Sequence, residues 1–434
     1  LRICIILEGC YPYVRGGVST WVHNMIEAMS EHQFVLWVIG AESKNRGNFK
    51  YTLPANVTEI REVFLDDALQ VPTETVQGVT FTKEETEAHK ELISCDSPDW
   101  NVLFRCYNTK QTSVHSYLMS EHFLELLLNM AHEKYPYIAF AELFHTQRSM
   151  LVPLLHLLRQ EIPEADVYHA TSTGYGGILG AMAGSIKKRP FVLTEHGIYT
   201  REREEELLRA SWIPSYFRQH WISFFYMLAH CAYDNAISVT SLFGRSLEVQ
   251  KQIGDIPQYK LKVIQNGIHY QRFVDIPPKP ADNYIDIGAI VRFHPIKDIK
   301  TMIYSFFELK LRIPNARLHI LGDADDDQYY EECQTLIKQL KVKDVIIAGN
   351  VNVTDYLKQL DFTILTSISE GQPLSVLESF AAARPCVTTD VGCCRELLDG
   401  TGIDSFGRAG LCVPPMHSQA FANAMEYMCK KEDE

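Results

Sequence analysis

Short apolar runs, each stopped near a glycine, serine, histidine or aspartate, recur along the chain and alternate with amphipathic stretches. This alternation constrains the fold more than any other feature. A strand buried on both faces of a parallel sheet needs a nearly unbroken apolar run, and its parallel neighbour needs a crossover, usually helical, to reach it. In the first half Ile3–Gly9, Phe34–Gly40, Val167–Ala170, Phe191–Gly197, Asn235–Val239 and Lys262–Ile268 are the strand candidates. Tyr284–Val291, Arg317–Gly322, Val345–Gly349, Phe362–Ser367 and Pro385–Asp390 repeat the theme. The class is α/β, with two Rossmann-like units. Most candidate strands end where ligands of open α/β sheets sit.

A chain of 434 residues exceeds the roughly 250–300 at which one core stops growing, so two domains are expected. The segment Phe273–Asn283 is dense in proline, which removes backbone donors and disfavours helix, and the linker is placed there. Domains over 1–275 and 284–434 follow. Residues 42 to about 130 break the simple alternation and are expected to form an insertion in the first domain.

A formal charge of -13 repels phosphodiester polymers, so nucleic acid is not the expected partner. A phosphate-bearing ligand must then be held by a few local cations and backbone amides. The 11 cysteines are scattered without paired CxxC knuckles, which suits reduced thiols in the cytosol. No apolar run reaches the ~18 residues of a membrane span and no leader precedes the first strand, so the chain is expected to be neither secreted nor membrane-spanning. It opens on Leu1, not Met, and residues ahead of it are expected in the natural product.

Gly16 and Gly17 lie between the first strand and a helix beginning near Ser19. Glycine lets backbone approach a ligand, and free amides at a helix start attract anions; a plain tight turn is the alternative. The spacing fits neither GxGxxG nor GxxxxGK[ST], so neither a dinucleotide nor ATP hydrolysis is indicated. In VRFHPIK, Arg292 and Lys297 flank a strand-to-helix loop, where they either converge on a diphosphate or stand as solvated charges.

The strongest local signal is TSISEGQPLSVLESF, in which a strand runs into a loop with Glu370 and Gly371 and then into a helix opened by Pro373 and carrying Glu378. Carboxylates accept hydrogen bonds from vicinal hydroxyls, so one could grip a sugar and the other a ribose; helix capping is the alternative. TEHGIYTRERE places Glu195, His196 and Gly197 at a strand end, where His196 either serves a substrate hydroxyl or is structural; the charges that follow suit a solvated helix start. GDADDDQ offers Asp323, Asp325, Asp326 and Asp327 to Mg or Mn, but helix-start charge is the better account. Asn266 and Gly267 suggest a turn, and the aromatic region Trp212–Tyr233 suggests core packing before a partner or membrane surface. No order of Ser, His and Asp, HExxH or zinc-knuckle spacing points to a hydrolase or zinc site.

As an ordered set, the GG turn, EHG, NGI, R-x4-K, the G-D loop and EGQPLSVLE resemble the retaining GT-B glycosyltransferases of family GT4 across nearly the whole chain. The opening ILEGCYPYVRGGVSTWVHNMI and TEHGIYTRERE are similar to the glycosyltransferases of Pel exopolysaccharide synthesis. The resemblance implies two Rossmann-like domains facing across a cleft and a cytoplasmic, metal-independent enzyme without cofactor. It would move a hexose or N-acetylhexosamine from a UDP-sugar to a saccharide acceptor, recruited to the inner face of the membrane by Pel-type membrane proteins. It further implies that Arg292 and Lys297 hold the pyrophosphate, Glu378 the ribose, Glu370 the donor sugar, and His196 a sugar hydroxyl. Gly16, Gly17, Gly371, Gln372, Pro373 and Leu374 would complete the nucleotide site. The family continues past AFANAMEYMCKKEDE with crossover helices, which residues 284–434 are expected to lack. A sugar-nucleotide-binding subunit without turnover is the alternative, favoured less because a mere binder has little need of leaving-group cations; an epimerase ranks third.

Overall fold

A computed structural model describes residues 1–69, 78–400 and 407–430, which divide into two compact units, Leu1–Ile264 and Gln265–Glu434. The first carries strands β1 (Arg2–Glu8), β2 (Gln33–Gly40), β3 (Val57–Phe64), β4 (Val167–Ala170), β5 (Phe191–Glu195), β6 (Ser238–Ser241) and β7 (Leu261–Val263). They form one parallel sheet in the order β3-β2-β1-β4-β5-β6-β7. Ile3 pairs with Phe34 on one side and Val167 on the other, so the chain order reverses between β1 and β4. The runs in β1 and β2 are buried nearly throughout, as a sheet covered on both faces requires.

Two features of this unit differ from the sequence expectation. The strand β3 lies inside the stretch assigned to the insertion and forms the sheet edge. Between β3 and β4, helices including Lys83–Ser94, Glu121–Lys134 and Phe140–Leu158 bury Leu92, Phe104, Tyr107 and Phe123 in the same core as Trp37 and Tyr168, so they belong to the first unit's body. Residues 70–77 of that stretch lie outside the described residues, as do 431–434 at the tail. In the aromatic region, Phe217, Trp221, Phe224 and Tyr233 of the helix Ser215–Asn235 are buried in the core, while Trp212 remains exposed.

The second unit carries β8 (Ile285–Ile290), β9 (Ala316–Leu321), β10 (Val345–Gly349), β11 (Phe362–Leu365), β12 (Cys386–Thr389) and β13 (Gly410–Val413), all parallel, in the order β10-β9-β8-β11-β12-β13. Ile287 pairs with Leu318 and with Phe362, so here the order reverses between β8 and β11.

The proline-rich segment is part of this unit, where the sequence suggested a linker. Phe273 is buried with Leu357, Leu360 and Ala382, and the Arg384 guanidinium donates to the Pro277 carbonyl at 2.6 Å. Lys279 Nζ lies 2.9, 2.7 and 2.9 Å from carboxylate oxygens of Asp282, Asp286 and Asp361. Asp286 is buried and also accepts from Arg317 and from the His319 ring, and these bonds hold its carboxyl well below the usual range despite burial. Among the described residues no helix is long and apolar enough to cross a membrane.

Candidate functional site

In an open parallel sheet, ligands bind beyond the carboxyl ends of the strands where the chain order reverses, because the loops there diverge to opposite faces. In the second unit that point lies beyond β8 and β11. The loop after β8 carries Arg292 and Lys297, and the loop after β11 carries Glu370. The two loops are tied by Ile368 N donating to Ile296 O at 2.8 Å and by Thr366 Oγ1 donating to Lys297 O at 2.9 Å. Lys297 Nζ then reaches Glu370 Oε1 at 2.5 Å, and Ser367 Oγ donates to the same oxygen at 2.6 Å.

Arg292 takes a different partner. Its guanidinium donates to Asp325 Oδ2 at 2.6 Å, so each of the two cations has its own carboxylate partner. Within the acidic run Asp326 caps the helix Asp327–Leu340 through Tyr329 N, the helix-start role expected of it, while Asp325 pairs with Arg292.

The loop ahead of the helix Leu374–Ala381 is clamped from two sides. Gln372 is buried, its Oε1 accepts from Asn266 N at 2.5 Å, and its carbonyl accepts from Asn266 Nδ2 at 3.2 Å. Asn266 is therefore a brace for the loop and more than a turn residue. On the other side Gly392, at φ +55°, packs so closely that a Cβ would stand 2.2 Å from the Gly371 carbonyl oxygen. Pro373 occupies the cap position and Leu374 the first helical position. Glu378 lies on this short helix, as the sequence indicated. Burial pushes its carboxyl up to about 7, opposed by the charge of Arg272.

In the first unit, the helix Gly17–Ala28 follows β1 with Gly16 at its cap in an extended conformation and no side chain capping its amides. A Cβ on Gly17 would meet nothing within 4 Å, so the protein's own packing does not demand glycine there. From this helix Trp21 meets the His196 ring edge to face at 4.6 Å between centroids, and it also touches His169 of β4. Burial, with His169 adding to it, pushes the His196 imidazole down to about 4, so it is neutral at pH 7; its Nε2 is buried without a partner.

Glu195 belongs to the scaffold. It is buried and accepts from Thr173, the Tyr199 amide, Tyr233 and Gln250. A Cβ on Gly197 would stand 2.1 Å from Glu202 Oε1, so the Glu202 carboxylate would have to swing aside to admit one. Nearby, Arg203 lies over the Tyr199 and Phe225 rings, so the charges of TREREEE are only partly a solvated helix start.

The sequence reading missed Ser367, Trp21 and Arg272, and missed the partnership of Asp325 with Arg292. The position of Ser367 at the end of the strand run FTILTS was a usable signal. The others depend on contacts between distant residues.

Residues 285–431 match the family described as "Glycosyl transferases group 1", which coincides with the second sheet and its site. A solved UDP complex of Anabaena HepE aligns with 99% of this chain and 90% of its own, at 15% identity and a TM-score of 0.60. Two parallel-sheet units with this likeness make the fold GT-B, the two-domain α/β architecture of glycosyltransferases. Residues 1–258 match a second family, and with more than half of its length matched the chain belongs to the family described as "Domain of unknown function (DUF3492)". Among curated relatives, the Escherichia coli O-antigen biosynthesis glycosyltransferase WbnH is 36% identical over 91 residues, 21% of this chain and 25% of WbnH. The putative glycosyltransferase EpsD of Bacillus subtilis is 25% identical over 288 residues, 62% of this chain and 69% of EpsD. The chain spans about a quarter of the length of the first curated relatives it matches.

Proposed function

We propose that the chain is a retaining, metal-independent glycosyltransferase of family GT4 that moves a hexose or N-acetylhexosamine from a UDP-sugar to a growing exopolysaccharide. The motif resemblance extends to the Pel enzyme PelF. On that reading a saccharide is the acceptor, and the protein works in the cytoplasm, at the inner face of the membrane, beside Pel-type membrane proteins. One observation carries the proposal: an ammonium, a carboxylate and a hydroxyl, Lys297, Glu370 and Ser367, meet where the second sheet reverses its strand order. That is the place and the chemistry for a sugar bonded to a diphosphate.

In the proposed reaction the bond between the anomeric carbon and the β-phosphate oxygen breaks through an oxocarbenium-like state. Charge builds on the diphosphate, and Lys297 and Arg292 stabilise it by preorganised electrostatics. The acceptor hydroxyl attacks from the same face and passes its proton to the departing phosphate. No enzyme carboxylate is glycosylated, so Glu370 orients the sugar, while Glu378 accepts from the ribose hydroxyls. Gly371 and the loop that Asn266 braces through Gln372 shape the nucleotide site, and the neutral His196 pairs its free Nε2 with a sugar hydroxyl.

Thermal melts with saturating UDP, GDP, ADP and NAD test the donor assignment, since a ligand that binds only the native state raises its melting temperature. A shift largest with UDP is expected, followed by transfer from a UDP-sugar panel with retained anomeric configuration. A larger shift with NAD, or a glycosyl adduct on Glu370 by mass spectrometry, would overturn the mechanism.

A further inference from the structure

The acidic loop GDADDDQ has no role in the reaction as proposed above, yet it is built against the residue assigned to the donor diphosphate. Gly322, at φ +149°, lets the loop pass so close to the end of β8 that a Cβ there would stand 2.1 Å from the Val291 carbonyl oxygen. Phe293 N then donates to Asp323 O at 2.9 Å, and the amides of Asp325 and Asp326 both donate to Phe293 O, at 3.2 and 3.1 Å. These bonds fix Asp325 beside the residue that precedes Phe293, where its carboxylate takes the Arg292 guanidinium at 2.6 Å.

From this we infer that Asp325 is a resident counter-ion, which holds Arg292 in place while the site is empty and must give up the guanidinium to an incoming diphosphate. The inference rests on the reading of Arg292 as a donor ligand. Exposure makes the exchange feasible: the Arg292 and Asp325 side chains are 37% and 32% accessible, and an ion pair wetted to that degree is weak. Lys297 and Glu370, at 19% and 12%, are more enclosed. Asp325 therefore lowers the affinity for UDP and favours its release, acting through Arg292 without touching the reacting atoms.

Calorimetry of UDP and of UMP, which lacks the β-phosphate, on the full chain and its variants tests this. Asp325→Asn is expected to tighten UDP about two- to fivefold, the order of freeing Arg292 from one wetted ion pair, and to leave UMP unchanged. Asp325→Glu should behave as the parent, and the gain should vanish in an Arg292→Ala background. Unchanged or weaker UDP binding by Asp325→Asn overturns the inference while leaving the donor assignment standing. Persistence of the gain without Arg292 overturns it too, since Asp325 would then act as a general surface charge. Failure of the parent and every variant to bind UDP removes the donor assignment itself and the inference with it.

Discussion

Lys297 Nζ and Glu370 Oε1 lie 2.5 Å apart, joining the loop that follows β8 to the loop that follows β11. The pair closes across the point where the second sheet reverses, so losing either side chain removes a charge and one tie between the loops, while Ile368 N on Ile296 O and Thr366 Oγ1 on Lys297 O remain. Lys297→Ala is expected to lower kcat by about a hundredfold to a thousandfold, or ~3–4 kcal/mol, with a smaller change in KM, because the ammonium opposes charge that grows only in the transition state. Single-turnover measurements isolate the chemical step, and an unchanged rate there would remove Lys297 from the leaving-group role.

Glu378 supplies a pH dependence. Its carboxyl is pushed up to about 7 by burial, above the ordinary value of 4.5. The folded protein thus keeps a proton that the unfolded chain releases, and the stability this provides is complete below pH 4.5 and is lost as pH rises through 7. Glu378→Gln should remove roughly 2–3 kcal/mol of that dependence, read from denaturant midpoints at pH 5 and pH 8. UDP, if its ribose donates to the carboxylate, should bind more tightly as pH rises through the same range and release a proton on binding. Calorimetry in buffers of different ionisation enthalpy measures that proton, and Glu378→Ala should weaken binding more than it slows turnover.

Gly392 sets the position of Gly371 by close approach. Gly392→Ala adds a Cβ 2.2 Å from the Gly371 carbonyl oxygen at a positive φ, so the loop must shift. The expected cost is of order 1–3 kcal/mol in stability, with weaker UDP binding. Equal stability and equal UDP affinity in the variant would show that the loop position does not govern the site.

Transfer should proceed in EDTA at the rate seen with added Mg or Mn, because Arg292 and Lys297 can supply the positive charge that other sites take from an ion. Loss of activity in EDTA that Mn restores would refute metal independence.

Strands with nearly unbroken apolar runs, such as β1 and β2, were legible because burial on both faces leaves little room for polar residues. The strand β3 was not, because VTEIREVF lies at the sheet edge, where half-exposed Glu and Arg interrupt the pattern. The short β13 (Gly410–Val413) offers only GLCV, too little to show a period. In the site, Arg292, Lys297 and Glu370 could be singled out because a charge next to a strand end is a local signal. Their counter-charges could not all be assigned: Glu370 was read as a sugar ligand and Asp325 as part of a helix start, since pairing across 73 and 33 residues leaves no mark in either neighbourhood. The proline-rich segment misled for the same reason. Proline reports local stiffness, and the contacts that fold the segment onto the second sheet come from Asp286, Asp361 and Arg384.

Those contacts bear on how the chain can be divided for expression. A fragment beginning at residue 284 would strip Lys279 from Asp286 and Asp361, take the Pro277 carbonyl from Arg384, and open Leu357 and Leu360 to water by removing Phe273. It would also lose Asn266, which braces Gln372 beside the helix of Glu378. A fragment beginning at Gln265 retains every one of these. Gene boundaries drawn by the prolines would therefore yield a poorly soluble half with a slack loop ahead of the helix Leu374–Ala381, and a negative UDP-binding assay on it would report the cut instead of the protein.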